Sequence, residues 1–516
     1  FYQGVVMSRR LTRGEYNNTV RDLIGLDLRP ADDFPSDGAG GEGFDTTGST
    51  LFSSPILVEK YLQATDKIAR AAIPNDDEKD VSPERIAAKN RIVIATPGDS
   101  LPPREAAKQS LTPFVERAFR RPIAAEDVEK FLPLFDRAFA RGDGYTASLR
   151  LAVKGVLMSP QFLFLVEPEA EKDGIARLGP YQLAQRMSYF LWSSMPDEQL
   201  LSTAASGAIY DTSVLLEQMR RMLRDPKARA LGDNFAMQWL GLGGVGGGVR
   251  PDPEKFPEFT NELAASMREE AVLLFASIMQ EDRPLLDIID AKYTFVDERL
   301  AGLYGLANVQ GPQMRKVELA DANRGGVLGM AAMHTVTSYP LRTSPVLRGR
   351  WVLEELLGSR VPPPPPGVPA LEEKGEEIAH QTLRQRLEKH RTKAECASCH
   401  DRMDPLGFGL EVFDPIGRLR TQDAGQPIDS AGKLPSGETF SGPAELKKVL
   451  LKRKNEFVKR LTRKMLGYAL GRELNRFDDC VVEEAMKSLQ AREYKSSALV
   501  ETIILSYPFQ YRFTKK

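Results

Sequence analysis

The sequence predicts a mainly α protein, organised as a multi-domain helical scaffold, and three observations support this. Apolar residues recur at helical spacing along most of the chain, whereas strand-like alternation is rare. At 516 residues the chain is too long for one hydrophobic core, and one domain per ~150 residues gives about three domains. The composition, 42% hydrophobic and 27% charged, is that of a globular protein and not of a disordered one.

The N-terminal part contains two helix signals on either side of a loop. Thr12 and Glu15 form a capping-box pattern ahead of apolar residues at helical spacing. Ser54 followed by Pro55 predicts the start of a second helix, because proline is favoured at the first helical position. Between them lies an acidic, glycine-rich loop at 30–48.

The middle of the chain is predicted to be helical apart from one short β-like run at 91–95. Polar, proline-containing or glycine-rich stretches separate the helices and suggest domain boundaries. The proline run that begins at Pro362 predicts a stiff polyproline II connector. The predicted organisation is an N-terminal helical domain at 1–75, a helical domain at 85–170, a helical domain at 178–308, a helical segment at 320–361, a proline-rich linker at 362–369 and a C-terminal domain at 375–516.

Net charge and hydropathy argue against nucleic-acid binding and against a transmembrane segment. The formal net charge is −1, whereas a nucleic-acid-binding protein normally presents a strongly basic face. No apolar run approaches the ~18 residues that a transmembrane helix requires, so no transmembrane segment is expected. The sequence begins at Phe1 with no signal-peptide pattern, so we expect any export signal to lie upstream.

Cysteine usage provides the strongest functional signal. The chain has three cysteines, too few for a disulfide scaffold, and two of them belong to the motif Cys396-Ala397-Ser398-Cys399-His400. CxxCH is the attachment sequence of c-type haem: two cysteines bond to the vinyl groups and the histidine faces the iron. A thioredoxin-type site would require a βαβ context, and a zinc site would require a second Cys/His pair. Neither is present, so the motif predicts haem c.

The residues around the motif predict a cytochrome c-like domain. An amphipathic helix at 382–390 leads into the motif, and a helix at 457–474 is expected to cover the haem. The apolar, turn-rich segments at 404–410 and 413–417 are expected to wrap one haem face, with a backbone carbonyl accepting the Nδ1–H of His400.

Arg418 and Arg420 are the candidates for pairing with the haem propionates; solvated surface arginines are the alternative interpretation. The sixth iron ligand is an open question. Small cytochromes take a methionine from the loop before the last helix, but 407–456 contains neither Met nor His. His390 is the first candidate for this metal ligand and Met465 is the second. An iron with no sixth ligand would be able to bind small molecules.

Two charged segments have competing interpretations. The loop at 32–45 holds five carboxylates among glycines, a composition that suits Ca²⁺, although its spacing is not that of an EF-hand and a solvated loop is the alternative. The run at 447–464 holds nine basic residues against Glu456 alone. It suits either a solvated helix face or a surface that steers an acidic redox partner.

Motifs along nearly the whole chain resemble one family. The order of segments is similar to that of the large planctomycete- and myxobacterial-type exported haem-c proteins built of successive domains of unknown function. The residues that carry the resemblance are LTRGEYNNTVRDL from Leu11, GFD from Gly43, AFRRP from Ala118, TSPVLRG from Thr343, CASCH with its sequel DPLGFGLEVFDPIG, YALGR from Tyr468 and SYPF from Ser506. The resemblance implies haem and export more than any one reaction.

Three classes of function follow from these features. The first is an exported, periplasmic c-type cytochrome with one covalent haem, which transfers electrons to a redox partner protein. The alternative is a haem-dependent oxidoreductase with a substrate pocket in the helical domains. The second alternative is a structural or binding protein that the haem stabilises.

Overall fold

The computed structural model describes residues 8–167, 174–362, 381–390 and 394–514, and the chain divides into two compact units. Unit 1 comprises residues 1–230, 466–481 and 501–516, and unit 2 comprises residues 231–465 and 482–500. The prediction of a mainly helical, multi-domain protein is confirmed. In the described part of the chain, no helix is both long enough and apolar enough to cross a membrane.

Helices account for most of the described chain, and short turns connect them. Those before residue 231 are α1 (Arg13–Ile24), α2 (Pro55–Ala72), α3 (Pro83–Ile92), α4 (Pro103–Phe119), α5 (Ala125–Glu129), α6 (Leu132–Ala140), α7 (Gly144–Leu157), α8 (Pro160–Leu163), α9 (Pro180–Trp192), α10 (Glu198–Ala205) and α11 (Thr212–Arg224).

The later helices include three that cross the unit boundary. In order they are α12 (Met237–Trp239), α13 (Asn261–Gln280), α14 (Asp287–Asp290), α15 (Glu298–Tyr304), α16 (Ala331–Val336), α17 (Pro345–Trp351), α18 (Leu383–His390), α19 (Ala394–Phe408), α20 (Gly442–Lys452), α21 (Lys454–Leu470), α22 (Asp479–Ala491), α23 (Ser496–Leu505) and α24 (Tyr507–Gln510). Two π-helical stretches adjoin α12 and α17, at Leu231–Ala236 and Val352–Leu356.

The strands are short and form antiparallel pairs. Unit 1 contains β1 (Arg9–Arg10) paired with β2 (Phe164–Leu165), and β3 (Gly174–Arg177) paired with the final strand. Unit 2 contains β4 (Tyr293–Val296) with β5 (Arg315–Glu318), β6 (Gln422–Asp423) with β7 (Gln426–Pro427), and β8 (Ala431–Lys433) with β9 (Thr439–Ser441). The final strand, β10 (Tyr511–Thr514), pairs Tyr511 with Arg177.

Unit 1 has an apolar core formed chiefly by α1, α2, α4 and α7. The capping box at the start of α1 is confirmed, since Thr12 accepts from the N–H of Glu15 and Glu15 accepts from the N–H of Thr12. A buried arginine, Arg120, ends α4 and donates to the carbonyl oxygens of Phe162 and Phe164 at 3.0 Å each. It thereby satisfies backbone acceptors that the core would otherwise leave unpaired.

Unit 2 is built around the long helix α13. Its Glu270 is buried and accepts hydrogen bonds from Thr294 Oγ1 of β4, at 2.5 Å, and from Tyr304 Oη of α15, at 2.6 Å. The Tyr304 hydroxyl in turn accepts from the N–H of Ala331, the first residue of α16. Burial raises the pKa of Glu270 to about 7, although the two hydrogen bonds act to lower the pKa.

Two local expectations are wrong. The run at 91–95 is not a strand, because Ser82 caps α3, which extends to Ile92 before an irregular segment. The segment at 404–408 is not a loop, because α19 continues through Pro405 to Phe408. The proline run from residue 363 onwards lies outside the described residues.

Candidate functional site

The CxxCH motif lies on α19 in unit 2. Cys396, Cys399 and His400 occupy its first two turns, and residues three and four apart share one helix face. Cys399 and His400 are half-buried, and the side chain of Cys396 lies outside the described part. The motif therefore has the helical setting that paired thioether attachment and axial ligation require.

His400 is hydrogen-bonded to a buried carboxylate one turn further along α19. Its Nδ1 lies 3.0 Å from Oδ1 and 3.1 Å from Oδ2 of Asp404. The Asp404 side chain is 0% exposed and that of His400 is 18% exposed. A carboxylate accepts, so Nδ1 carries the hydrogen and Nε2 is the nitrogen that would bind a metal. The expectation of a backbone carbonyl as the Nδ1 partner is wrong, because the helix continues and places Asp404 there instead.

Helix α17 crosses α19 at two glycines. Ser344 caps α17 by accepting from the N–H of Leu347. A Cβ at Gly349 would lie 1.8 Å from the carbonyl oxygen of Met403, and one at Gly407 would lie 1.8 Å from that of Pro345. The backbones are in direct contact, so the crossing requires glycine at both positions.

A buried arginine on α17 organises the chain that follows α19. Arg348 donates to the carbonyl oxygens of Leu410, Phe413 and Asp414 and, at 2.9 Å, to Oε1 of Glu411. Burial lowers the pKa of this guanidinium to about 10, while the charge of Glu411 opposes the shift. Four acceptors of one segment thus converge on one side chain. The TSPVLRG and DPLGFGLEVFDPIG motifs, which are separate in sequence, form one packed structure.

The two arginines predicted to meet haem propionates both have protein partners. Arg420 lies 2.8 Å from Oε2 of Glu411, and Arg418 lies 3.1 Å from Oδ2 of Asp414 and also pairs with Glu258. Arg418 borders an open groove of about 570 Å³ that includes Arg299. Propionate pairing by Arg418 or Arg420 stays a prediction.

The two predicted sixth ligands lie on different helices. His390 is the last residue of α18, whose Leu383 and Leu387 pack against Phe408 of α19, but its side chain lies outside the described part. Met465 is fully buried on α21. Metal ligation by either residue stays a prediction.

The loop segment between Phe413 and Gly417 contacts α16. The ring of Phe413 lies against that of His334, with 4.2 Å between centroids and a tilt of 33°, and a Cβ at Gly417 would lie 2.5 Å from Cα of Ala331. Burial lowers the pKa of His334 well below its usual range, and Nε2 lies 3.0 Å from the carbonyl oxygen of Leu328. Wrapping of one haem face by this segment stays a prediction.

Two carboxylates of the acidic loop at 32–45 accept hydrogen bonds from other residues of the protein. Asp32 accepts from Asn17 and Arg29, and Asp37 accepts from the N–H of Arg13 and pairs with Arg10 at 2.7 Å. No group of three or more Asp, Glu, His or Cys residues able to hold a metal ion occurs among the residues the structure describes. The Ca²⁺ interpretation gains no support.

The basic run at 447–464 is not simply a solvated helix face. Lys447 is buried, donates to the carbonyl oxygen of Arg324 at 2.6 Å and pairs with Asp290 at 2.9 Å. Lys464 is also buried and lies 3.5 Å from Glu355. These cations hold unit 2 together, which leaves fewer charges to attract a partner.

Five family models match the chain one after another. Each describes a protein of unknown function: DUF1587 at residues 9–74, DUF1595 at 106–167, DUF1592 at 178–306, DUF1588 (PSCyt3) at 324–423 and DUF1585 at 436–509. The chain is a succession of domains of unknown function. This confirms the planctomycete-type domain order inferred from the motifs.

The CxxCH motif falls within the DUF1588 match, which also covers α17 and the proline run. None of the matched models is described as a haem domain. No curated protein and no solved structure matches the chain. The chemistry of the site therefore has to be argued from its own residues.

Sequence reasoning missed three features of the site: the Asp404 partner of His400, the buried Arg348–Glu411 pair and the glycine crossing. Asp404 had a signal, namely its position four residues after His400, which pairs the two on a helix. Pro405 masks that signal, because Asp-Pro is typical of a turn.

Proposed function

We propose that this chain is an exported c-type cytochrome with one covalent haem and that it transfers electrons to a redox partner protein. The observation that carries the proposal is His400 held through Nδ1 by buried Asp404 on the helix of the CxxCH motif. This orientation leaves Nε2 as the ligand atom, as metal-binding histidines require.

The residues fit a haem. Cys396 and Cys399 would hold the haem through two thioethers, each the product of thiol addition to a vinyl group with no group leaving, and Nε2 of His400 would bind the iron. Haem, when bound, supplies one-electron redox chemistry at iron. The chain holds the histidine in one tautomer and fixes α19 against α17 through the glycine crossing.

The proposed cofactor determines the cellular compartment that we expect for this protein. Haem c is attached outside the bacterial cytoplasm, so we propose a periplasmic or otherwise exported location for the holoprotein. Recovery of mature holoprotein from the cytoplasmic fraction would contradict this.

One observation favours the oxidoreductase alternative. A cavity of about 340 Å³ lies beside α19, lined by Arg384, Asp401, Pro405, Phe408 and residues 431–435. Its size lies within the range of small-molecule sites. Arg384 lies over the ring of Phe408, 4.5 Å from its centroid, and pairs with Glu388 and Asp429.

Haem staining tests attachment. The chain is produced in a bacterial host with haem-c maturation machinery, and denaturing gels are stained for covalent haem. We expect stain in the wild type and in the Cys480→Ala control, since Cys480 is exposed on α22 and outside the motif. The double variant Cys396→Ala/Cys399→Ala should not stain. An unstained wild type, or a stained double variant, refutes the proposal.

The visible spectrum separates the classes of function. A six-coordinate, low-spin spectrum in both oxidation states supports electron transfer. A high-spin spectrum that changes on addition of cyanide or carbon monoxide supports the oxidoreductase. Haem that stains but cannot be reduced by any one-electron donor supports a structural role.

A further inference from the structure

We infer that Asp404 is a positioning residue that keeps an anionic partner on His400 and thereby lowers the reduction potential of the iron. This inference rests on the proposed haem site and deepens it. Its basis is the contact of Nδ1 with both carboxylate oxygens, at 3.0 and 3.1 Å.

The contact is shielded from water. Asp404 is 0% exposed, so solvent does not screen its charge from the imidazole as it would at a surface. A hydrogen bond to a carboxylate is also roughly twice as strong as one to a neutral carbonyl. The partner of His400 therefore differs in kind from the backbone carbonyl that the sequence predicted.

The position of Asp404 is fixed by the packing of its helix. Residues on both sides of Asp404 contact α17: the Met403 carbonyl lies against Gly349, and Gly407 lies against Pro345. These contacts fix the backbone of α19 at Asp404, so the helix as a whole cannot move the carboxylate away from His400. The carboxylate is held in place before any ligand binds.

The chemical consequence concerns the strength of the axial ligand. A carboxylate that accepts the Nδ1–H gives the imidazole partial imidazolate character and raises its basicity. A more basic ligand stabilises Fe(III) more than Fe(II), so the reduction potential falls. An open sixth position would then favour reactions of ferric iron over simple electron storage.

Spectroelectrochemical titration of the holoprotein tests this. Asp404→Asn keeps size and an acceptor oxygen but removes the charge, and we expect the Fe(III)/Fe(II) equilibrium to shift about tenfold towards Fe(II), or ~59 mV upward for one electron. The matched control is Glu254→Gln, which removes an exposed charge of unit 2 outside α19 and the cavity beside it. Asp404→Glu should recover part of the shift. Equal potentials in Asp404→Asn and wild type would overturn the inference.

A second readout does not need haem. The chain has four histidines, so 15N-histidine labelling gives few ring signals, and His400→Gln identifies that of His400. In the haem-free wild type, His400 should carry its hydrogen on Nδ1, and Asp404→Leu, which offers no acceptor, should redistribute it to Nε2. If the wild type does not stain for haem, the proposed function fails, and this readout still decides whether Asp404 positions the ring. An unchanged tautomer refutes that role.

Discussion

Gly407 of α19 lies against Pro345 of α17 so closely that a Cβ at position 407 would be 1.8 Å from the Pro345 carbonyl oxygen. This contact joins the helix of the CxxCH motif to the helix that carries Arg348. The helix of the CxxCH motif is therefore supported by a backbone contact as well as by side chains.

Gly407→Ala is expected to destabilise unit 2 by about 3 kcal/mol, the upper part of the range for overpacking, because the two backbones must separate. The control is Gly302→Ala, since nothing lies within 4 Å of a Cβ at Gly302 and alanine favours its helix. Urea unfolding followed by tryptophan fluorescence measures both variants. Equal transition midpoints for Gly407→Ala and wild type would contradict the crossing.

Arg348→Ala is expected to cost about 3–5 kcal/mol, the range for breaking a buried ion pair. The change removes the donor to three carbonyl oxygens and one of the partners of Glu411. The matched control is Arg350→Ala, which removes a partly exposed pair with Glu354 worth about 0.3–0.5 kcal/mol. Thermal unfolding compares the two, and similar losses in both variants would contradict the central role of Arg348.

Glu270 should make stability fall as pH rises. Its pKa is about 7 in the folded protein and near 4.5 when unfolded, so between these values the folded state keeps a proton that the unfolded state loses. The free energy of unfolding should therefore decrease from pH 4.5 to 7 by about 3 kcal/mol in total and then level off. Urea unfolding at stepped pH measures the slope, and Glu270→Gln should remove this component. Identical pH profiles for Glu270→Gln and wild type would show that Glu270 does not cause the pH dependence of stability.

The sixth ligand can be assigned by two substitutions. If His390 binds the iron, His390→Ala should convert a six-coordinate, low-spin spectrum to high-spin, while Met465→Leu should leave it unchanged. A second imidazole keeps the potential low, whereas a thioether favours Fe(II) and raises it. The reverse pattern would assign Met465. Wild-type spectra in both variants would exclude both residues.

Helix positions were largely predictable because their signals are local. Thr12 and Glu15 satisfy the first backbone donors of α1, and Ser54 with Pro55 starts α2 for the same physical reason. The error at 404–408 has an equally specific cause. Pro405 lacks an N–H and usually ends a helix, but here the close packing of α17 keeps the chain helical.

The site itself was only partly predictable. Cys396, Cys399 and His400 form a local motif with its own chemistry, and the structure places them on one helix. Glu411 and Phe413, two partners of Arg348, lie more than 60 positions further along the chain. No local sequence pattern predicts contacts over such a distance. Packing between distant segments decided which arginine became buried, and that information is absent from local periodicity.

The strand pair of β3 and β10 has a consequence for the order of folding. Arg177 donates to Gln510, which lies 333 positions further along the chain, so unit 1 closes a very long loop. The entropy of closing such a loop must be offset before its contacts stabilise anything, which makes non-local pairing slow. All of α13 to α20, including the CxxCH motif, belongs to the enclosed stretch. The contact of Arg348 with Glu411 spans 63 positions, against 333 for the contact of Arg177 with Gln510, so we expect the motif helix to be assembled while unit 1 is still incomplete.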